Sequence, residues 1–184
     1  TWKLVVGDLP KGVLSYAHCV REDPVRQGML YLGTENAAYV SWNDGVNWTP
    51  LTSGLPPAPV HWLVVQEHFS DLVVATYGRG FYVLDDITPL RQWKPEVSAA
   101  TAHLFAPRPA YRLRPITEPA MPMGDPSEGR NPPEGAVLHY LLKIAPRGDV
   151  KIAIQDALGK TIRTLDGTKE AGINRVYWDL RHDK

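Results

Sequence analysis

An internal repeat constrains the fold more than any other feature of this sequence. The segment LYLGTENAAYVSWND, residues 30–44, matches LVVATYGRGFYVLDD, residues 72–86, without a gap at an offset of 42 residues. In this match Leu30 falls on Leu72, and Tyr39 falls on Phe81. A unit of roughly 40–45 residues that contains four strands is typical of the blades of a β-propeller.

Short strand-like runs fill the first half of the chain. They are rich in Val, Leu, Tyr and Trp, and Gly, Pro, Asn and Asp separate them. A four-stranded sheet that packs against neighbours on both faces needs bulky apolar residues at nearly every position, as these runs have. The only cysteine is Cys19, which excludes an internal disulfide, so packing must stabilise the fold. The sequence therefore predicts an all-β chain in which residues 1–93 form two blades of a larger propeller.

The turn SWNDGVNW follows the third strand-like run. Its spacing is that of the Asp-box pattern Ser-x-Asp-x-Gly-x-x-Trp, with Asn in place of the first Asp. Glycine can adopt positive φ without steric cost, and Asn and Asp side chains accept hydrogen bonds from turn amides. A catalytic role for the turn's carboxylate is the weaker hypothesis, because bonding to local amides would lower its pKa. We predict a structural role for five residues: Ser41, Asn43, Asp44, Gly45 and Trp48.

These motifs resemble a known family. Residues 1–93 are similar to the last blades of sortilin-type or bacterial Asp-box propellers, and LVVATYGRGFYVLDDITPLRQW resembles the final-blade segment of bacterial BNR-repeat proteins described as glycosyl hydrolases. The resemblance implies a large propeller that is secreted or periplasmic. Both ends of the sequence also suggest a portion of a longer polypeptide.

The second half differs in composition from the first. Residues 94–134 are dense in proline, which removes amide donors and restricts its neighbours, so we expect a linker with an extended path there. Strand-like runs resume in residues 135–184, including a hairpin with Gly159 in its turn. This region resembles the Ig-like sandwiches of secreted bacterial proteins, which implies that the Trp178 ring fills a core. Such domains continue beyond this point, so a partial sandwich is expected.

Topology selects a set of loop residues for ligand binding. In a four-stranded meander, the connections after the second and the fourth strand emerge at the same end. A tyrosine ring and a guanidinium on the short loop TYGRG suit a sugar face or an acidic group. The alternative is a solvated loop whose arginine pairs with a neighbouring blade. The predicted ligand-binding residues are Tyr77 and Arg79, with Glu35, Asn36 and His61 as weaker candidates.

The sequence contains no recognisable catalytic constellation. His18 and Cys19 are adjacent in a strand, so their side chains should point to opposite faces and cannot bind one metal ion together. Asp85 and Asp86 diverge for the same reason, and DDITP is typical of a turn. There is neither a Gly-x-Ser-x-Gly elbow nor a glycine-rich phosphate loop. The sequence therefore predicts no catalytic residue, no cofactor and no metal site.

Charge and hydropathy exclude two classes of partner. The 20 basic and 20 acidic residues balance, so nothing favours nucleic acid or an anionic membrane surface. No apolar run approaches the roughly 20 residues that cross a bilayer. We predict the non-catalytic binding or scaffold portion of an exported propeller, with a glycan or protein ligand. The alternative is part of a glycoside hydrolase whose carboxylates lie in other blades. Uncovered blade faces predict contact with the remainder of the parent propeller or self-association.

Overall fold

The computed structural model describes Trp2 and residues 4–52, 54–112 and 132–183. The chain divides into two compact units, Thr1–Trp93 and Lys94–Lys184. The described residues are all-β, with several antiparallel sheets, none of them closed. Two short helices, α1 (Thr88–Arg91) and α2 (Pro95–Ala99), accompany the strands. Among the described helices, none has the length and apolar character that crossing a membrane requires.

The first unit contains two antiparallel meanders. The first sheet has four strands in the order of the chain, which are β1 (Ala17–Glu22), β2 (Leu30–Thr34), β3 (Ala38–Ser41) and β4 (Thr49–Pro50). The second sheet has three, which are β5 (Val60–Gln66), β6 (Asp71–Thr76) and β7 (Phe81–Leu84). Because the strands alternate in direction, successive turns lie at opposite ends of each sheet.

The two sheets of the first unit pack face to face. Gly33 of β2 lies so close to β5 that an added Cβ would stand 2.4 Å from the Val60 carbonyl oxygen. The Cys19 thiol is buried beside this contact, and burial raises its pKa. The shared core consists of Cys19, Met29, Tyr31, Ala38 and Val40 around the first sheet, with Val60, Leu63, Leu72, Val74 and Ile87 around the second.

The outer faces of these two sheets differ in solvent exposure. On the first sheet a second cluster of Leu32, Tyr39 and Trp48 is buried, and Leu9 of the N-terminal segment packs on it. On the second sheet the outer side chains are solvent-exposed, although they are as apolar as those of the core. The exposed fractions are 54% for Trp62, 45% for Val64, 79% for Phe81 and 54% for Val83.

Strand register corrects the repeat alignment by one residue. Tyr39 pairs with Leu32 across the β2–β3 hairpin, and Tyr82 pairs with Val74 across β6–β7. Tyr39 therefore corresponds to Tyr82, and the gapless match of Tyr39 with Phe81 was wrong. The physical reason is the loop after β6, which contains two positive-φ glycines and is one residue longer than the loop after β2.

The second unit contains a three-stranded sheet and a hairpin. The sheet has the order β12-β9-β8, from strands β8 (Ala102–Leu104), β9 (Ala136–Leu142) and β12 (Gly172–Trp178). The hairpin pairs β10 (Val150–Gln155) with β11 (Thr161–Gly167), and Gly159 in its turn has φ 79°. Strand β9 is buried at every position.

Two sequence expectations for this region differ from the structure. The segment predicted as a linker contains α2 and β8, because Pro95 occupies the first turn of α2, where a missing amide donor costs nothing. The proline-rich residues 113–131 lie outside the described residues. Trp178 is only half-buried at the end of β12, and its indole N–H donates to the Arg181 carbonyl at 2.9 Å, so it does not fill a core.

Candidate functional site

In the first unit, the first strand of each of the two sheets has a β-bulge at a histidine. The register of β1 against β2 shifts at His18, and the register of β5 against β6 shifts at His61. A bulge leaves one residue outside the regular pairing and redirects its side chain, and bulges are frequent beside functional sites. The two histidines thus occupy the same position of the repeat in neighbouring sheets.

The flanking backbone repeats in the same way. The Glu35 amide after β2 donates to the Tyr16 carbonyl before β1 at 3.2 Å. The Tyr77 amide after β6 donates to the Pro59 carbonyl before β5 at 2.9 Å. These matched bonds place Glu35 and Tyr77 beside the two bulges. The two side chains therefore occupy equivalent backbone positions in the two sheets.

Four rings form a continuous row across the two sheets. The ring centroids of Tyr16 and His18 are 5.1 Å apart in an edge arrangement. Those of His18 and His61 are 4.2 Å apart, and those of His61 and Tyr77 are 5.5 Å apart and stacked. Tyr77 is 72% exposed and Tyr16 is 54% exposed, so the row has two solvent-facing ends. We call Tyr16, His18, His61 and Tyr77 the ring row.

Glu35 is bonded to the ring row. The His18 Nε2–H donates to Glu35 Oε2 at 2.7 Å, and the Tyr16 hydroxyl lies near the same carboxylate. The hydrogen bond from His18, helped by Tyr16, lowers the pKa of Glu35 below its ordinary value. The carboxylate in turn raises the pKa of Tyr16. Glu35 is therefore an acceptor held ionised at neutral pH, and Tyr16 is held protonated.

Three of these residues bring possible metal-ligand atoms close together. One atom each from His18, Glu35 and His61 lies within 4.8 Å of the other two. His18 was not predicted as a ligand residue, because regular alternation was expected along β1, and the bulge interrupts that alternation. A signal was present in the sequence: AHCV begins at Ala17 and VHWL at Val60, and each run has a histidine at its second position.

The predicted ligand residues separate into two groups. Glu35, His61 and Tyr77 come together at one end of the first unit, as the meander topology required. Asn36 and Arg79 are exposed in the same two loops, and the described contacts do not connect them to the ring row.

The predicted Asp-box residues form a self-bonded turn between β3 and β4. The Ser41 hydroxyl accepts from the Gly45 amide at 2.9 Å and from the Asn43 amide at 3.3 Å. Asn43 Oδ1 accepts from the Asn47 amide at 2.9 Å. Asp44 and Gly45 both have positive φ, 54° and 76°. Asn43, which replaces the first Asp of the Asp-box pattern, thus still supplies a hydrogen-bond acceptor to the turn.

The Trp48 side chain closes this turn from one side. Its ring lies 3.1 Å from the place where a Cβ on Gly45 would stand, and its indole N–H donates to the Val5 carbonyl at 3.2 Å. The Trp48 amide donates to Asp8 Oδ1 at 2.7 Å, and this bond lowers the pKa of Asp8. The turn follows β3, so it lies at the opposite end of the first sheet from the ring row.

The adjacent carboxylates Asp85 and Asp86 belong to the end of the second sheet. Asp86 has φ 57°, and its Oδ1 accepts from both the amide and the hydroxyl of Thr88. This is the turn chemistry that the sequence predicted at the start of α1.

Comparison with protein-family models, curated proteins and solved structures finds no match to this chain.

Proposed function

We propose that this chain is the non-catalytic, ligand-binding portion of an exported β-propeller protein, and that the ring row binds a glycan. The observation that carries the proposal is the row itself, with Glu35 beside it and Tyr77 72% exposed. The C–H faces of a sugar pack on the electron-rich faces of aromatic rings. A carboxylate beside the rings accepts hydrogen bonds from sugar hydroxyls, and a few such polar groups fix orientation.

The state of the polar groups favours binding over hydrolysis. A glycosidase needs one carboxyl group that stays protonated and a second about 5–9.5 Å away. The bond from His18 lowers the pKa of Glu35, which opposes a role as general acid. The raised pKa of Tyr16 likewise opposes a phenolate nucleophile.

Internal repetition supports two blades of a larger propeller. Tyr31 pairs with Val40 on the face of the first sheet that packs against the second sheet. At the equivalent positions Val73 pairs with Val83 on the outer face of the second sheet. That face has the apolar composition of a blade interface, and its Phe81 and Val83 side chains are exposed to solvent. A further blade of the parent protein fits it best, and we propose a partial Ig-like sandwich for the second unit.

The exposed face predicts self-association of these 184 residues. We expect size-exclusion chromatography with light scattering to show oligomers, because contiguous exposed apolar faces of this kind seldom stay uncovered in monomers. Phe81→Glu should shift the population toward monomer. Val13→Glu removes a comparably exposed apolar side chain elsewhere and is the control. A wild-type chain that stays monomeric at high concentration would contradict the blade proposal.

Binding to a panel of soluble polysaccharides and glycans tests the ligand. Tyr77→Ala should weaken the best ligand about fivefold or more, since one ring contact contributes about 1 kcal/mol. Phe69→Ala removes an exposed ring at the other end of the second sheet and should leave affinity unchanged. Absence of binding across the panel, or equal effects of the two variants, would contradict a glycan site at the ring row. Turnover that depends on a carboxylate within residues 1–93 would contradict the non-catalytic assignment.

A further inference from the structure

The atoms that His18, Glu35 and His61 present have the composition of a transition-metal site. Two imidazole nitrogens and one carboxylate oxygen suit Zn²⁺ and its neighbours in the first transition row, whereas Mg²⁺ and Ca²⁺ prefer oxygen ligands throughout. Three protein ligands of this type leave one position of a tetrahedral ion open to water or to a ligand oxygen.

Distances in the cluster are close to those that an ion needs. Bond lengths of about 2.1 Å separate two ligand atoms on a tetrahedral ion by about 3.4 Å. His18 Nε2 and Glu35 Oε2 are 2.7 Å apart, and the three ligand atoms lie within 4.8 Å of one another. Side-chain rotations that move these atoms by about 1 Å would place all three around one ion, which would replace the proton in the His18–Glu35 bond.

The surroundings hold the three side chains in place. Both histidines sit at backbone bulges, and the Glu35 amide is bonded to the Tyr16 carbonyl. The Tyr16 hydroxyl lies near the Glu35 carboxylate, in the position of an outer-shell partner of a metal ligand. Side-chain exposure is 21% for His18 and 23% for Glu35, while His61 is exposed. The cluster therefore has a half-buried floor and one side open to solvent.

We infer that His18, Glu35 and His61 bind one divalent transition-metal ion of the zinc type at the bulged ends of β1 and β5. The ion would lie at the floor of the ring row, with its fourth position toward solvent. The inference goes beyond the proposed glycan function and does not require it, because the geometry of the three side chains carries it alone.

Metal binding is measured on the full 184-residue chain after removal of metal with a chelator. Titration with Zn²⁺ alone should show one site that depends on the cluster, and Mg²⁺ should not compete for it. Co²⁺ should give visible absorption bands of a low-coordinate site, which Zn²⁺ abolishes. Glu35→Gln and His61→Ala should each weaken Zn²⁺ binding at least about tenfold, as loss of a ligand or its partner does.

His68→Ala is the matched control. It removes a histidine from the turn at the other end of the second sheet and should leave affinity for Zn²⁺ unchanged. Thermal melting of each variant in chelator separates loss of a ligand from loss of the fold. His61 is exposed, so His61→Ala is expected to remain folded.

Two outcomes would overturn the inference: no saturable binding of Zn²⁺ or Co²⁺, or binding that Glu35→Gln and His61→Ala leave intact. Glycan binding measured in chelator tests the proposed function separately. A chain that binds glycan but not Zn²⁺ contradicts only the metal site, and a chain that binds Zn²⁺ but no glycan contradicts only the glycan proposal.

Discussion

Replacing Asp23 with Ala is expected to lower the free energy of unfolding of the first unit by about 3–5 kcal/mol, the cost of breaking a buried ion pair by removing one partner. The Asp23 side chain is fully buried, and its two oxygens each lie 3.0 Å from Arg91 Nε. It also accepts from the Arg26 amide at 2.9 Å and from the Tyr31 hydroxyl at 3.2 Å. Without this carboxylate, Arg91 would keep a charge that is only 10% exposed and has lost its counter-ion.

The same residues connect the two sheets of the first unit. Arg91 Nη1 donates to the Ser70 hydroxyl at 2.8 Å, which links the turn before β6 to α1 at the end of the unit. Arg26 Nη1 donates to three carbonyls at the end of α1 and just after it, including that of Trp93 at 2.8 Å. The Trp42 indole N–H donates to one of them, that of Leu90, at 2.8 Å. Loss of Asp23 should therefore separate the sheets as well as disturb the loop after β1.

Urea denaturation followed by labelling of the Cys19 thiol measures this effect. The protein has a single cysteine, which is buried between the two sheets, so its labelling reports the opening of the first unit. Glu67→Ala removes an exposed acidic side chain from the turn after β5 and should change stability by less than about 0.5 kcal/mol. If the free energy of unfolding of Asp23→Ala lies within about 1 kcal/mol of the wild-type value, the ion pair contributes little to stability, and the prediction is wrong.

Local sequence patterns predicted the first unit well at the level of strands and turns. The residues around Ser41 and Gly45 predicted a turn because hydroxyl acceptors and positive φ are properties of single residues. Short connections make successive strands pair with each other. The topology therefore predicted that the loops after β2 and β6 lie at the same end of the two sheets. The proximity of Glu35, His61 and Tyr77 was foreseen in this way.

Local sequence patterns could not predict strand register or tertiary contacts. A bulge inserts one residue into one strand, and nothing in the letters AHCV distinguishes it from regular alternation. The extra residue in the loop after β6 likewise moved Phe81 out of its assumed place and onto the exposed face. The pairing of Asp23 with Arg91 joins residues 68 positions apart, and such contacts depend on the packing of whole sheets. His18 was missed for the first of these reasons.

Replacing Trp48 with Ala should lower the free energy of unfolding by about 3–5 kcal/mol, the usual cost of removing a large buried ring. Trp48 is 8% exposed and packs with Leu32 and Tyr39 on the outer face of the first sheet. Its loss would also leave the Val5 carbonyl without the indole donor, so the N-terminal segment should detach together with the turn. Gly45→Ala should cost about 1 kcal/mol or more, because φ is 76° and the new methyl group would meet the Trp48 ring at 3.1 Å.

Trp2→Ala is the matched control for Trp48→Ala, because Trp2 is fully exposed and its removal should change stability by less than about 0.5 kcal/mol. Far-UV circular dichroism during urea denaturation is the appropriate measurement, since tryptophan fluorescence changes with the substitution itself. The turn lies at the opposite end of the first sheet from the ring row, so the folded fraction of Trp48→Ala should bind ligand and Zn²⁺ with unchanged affinity. A Trp48→Ala protein with normal stability and lost binding would instead place the turn in the binding site, and the structural role of Ser41, Asn43 and Gly45 would have to be abandoned.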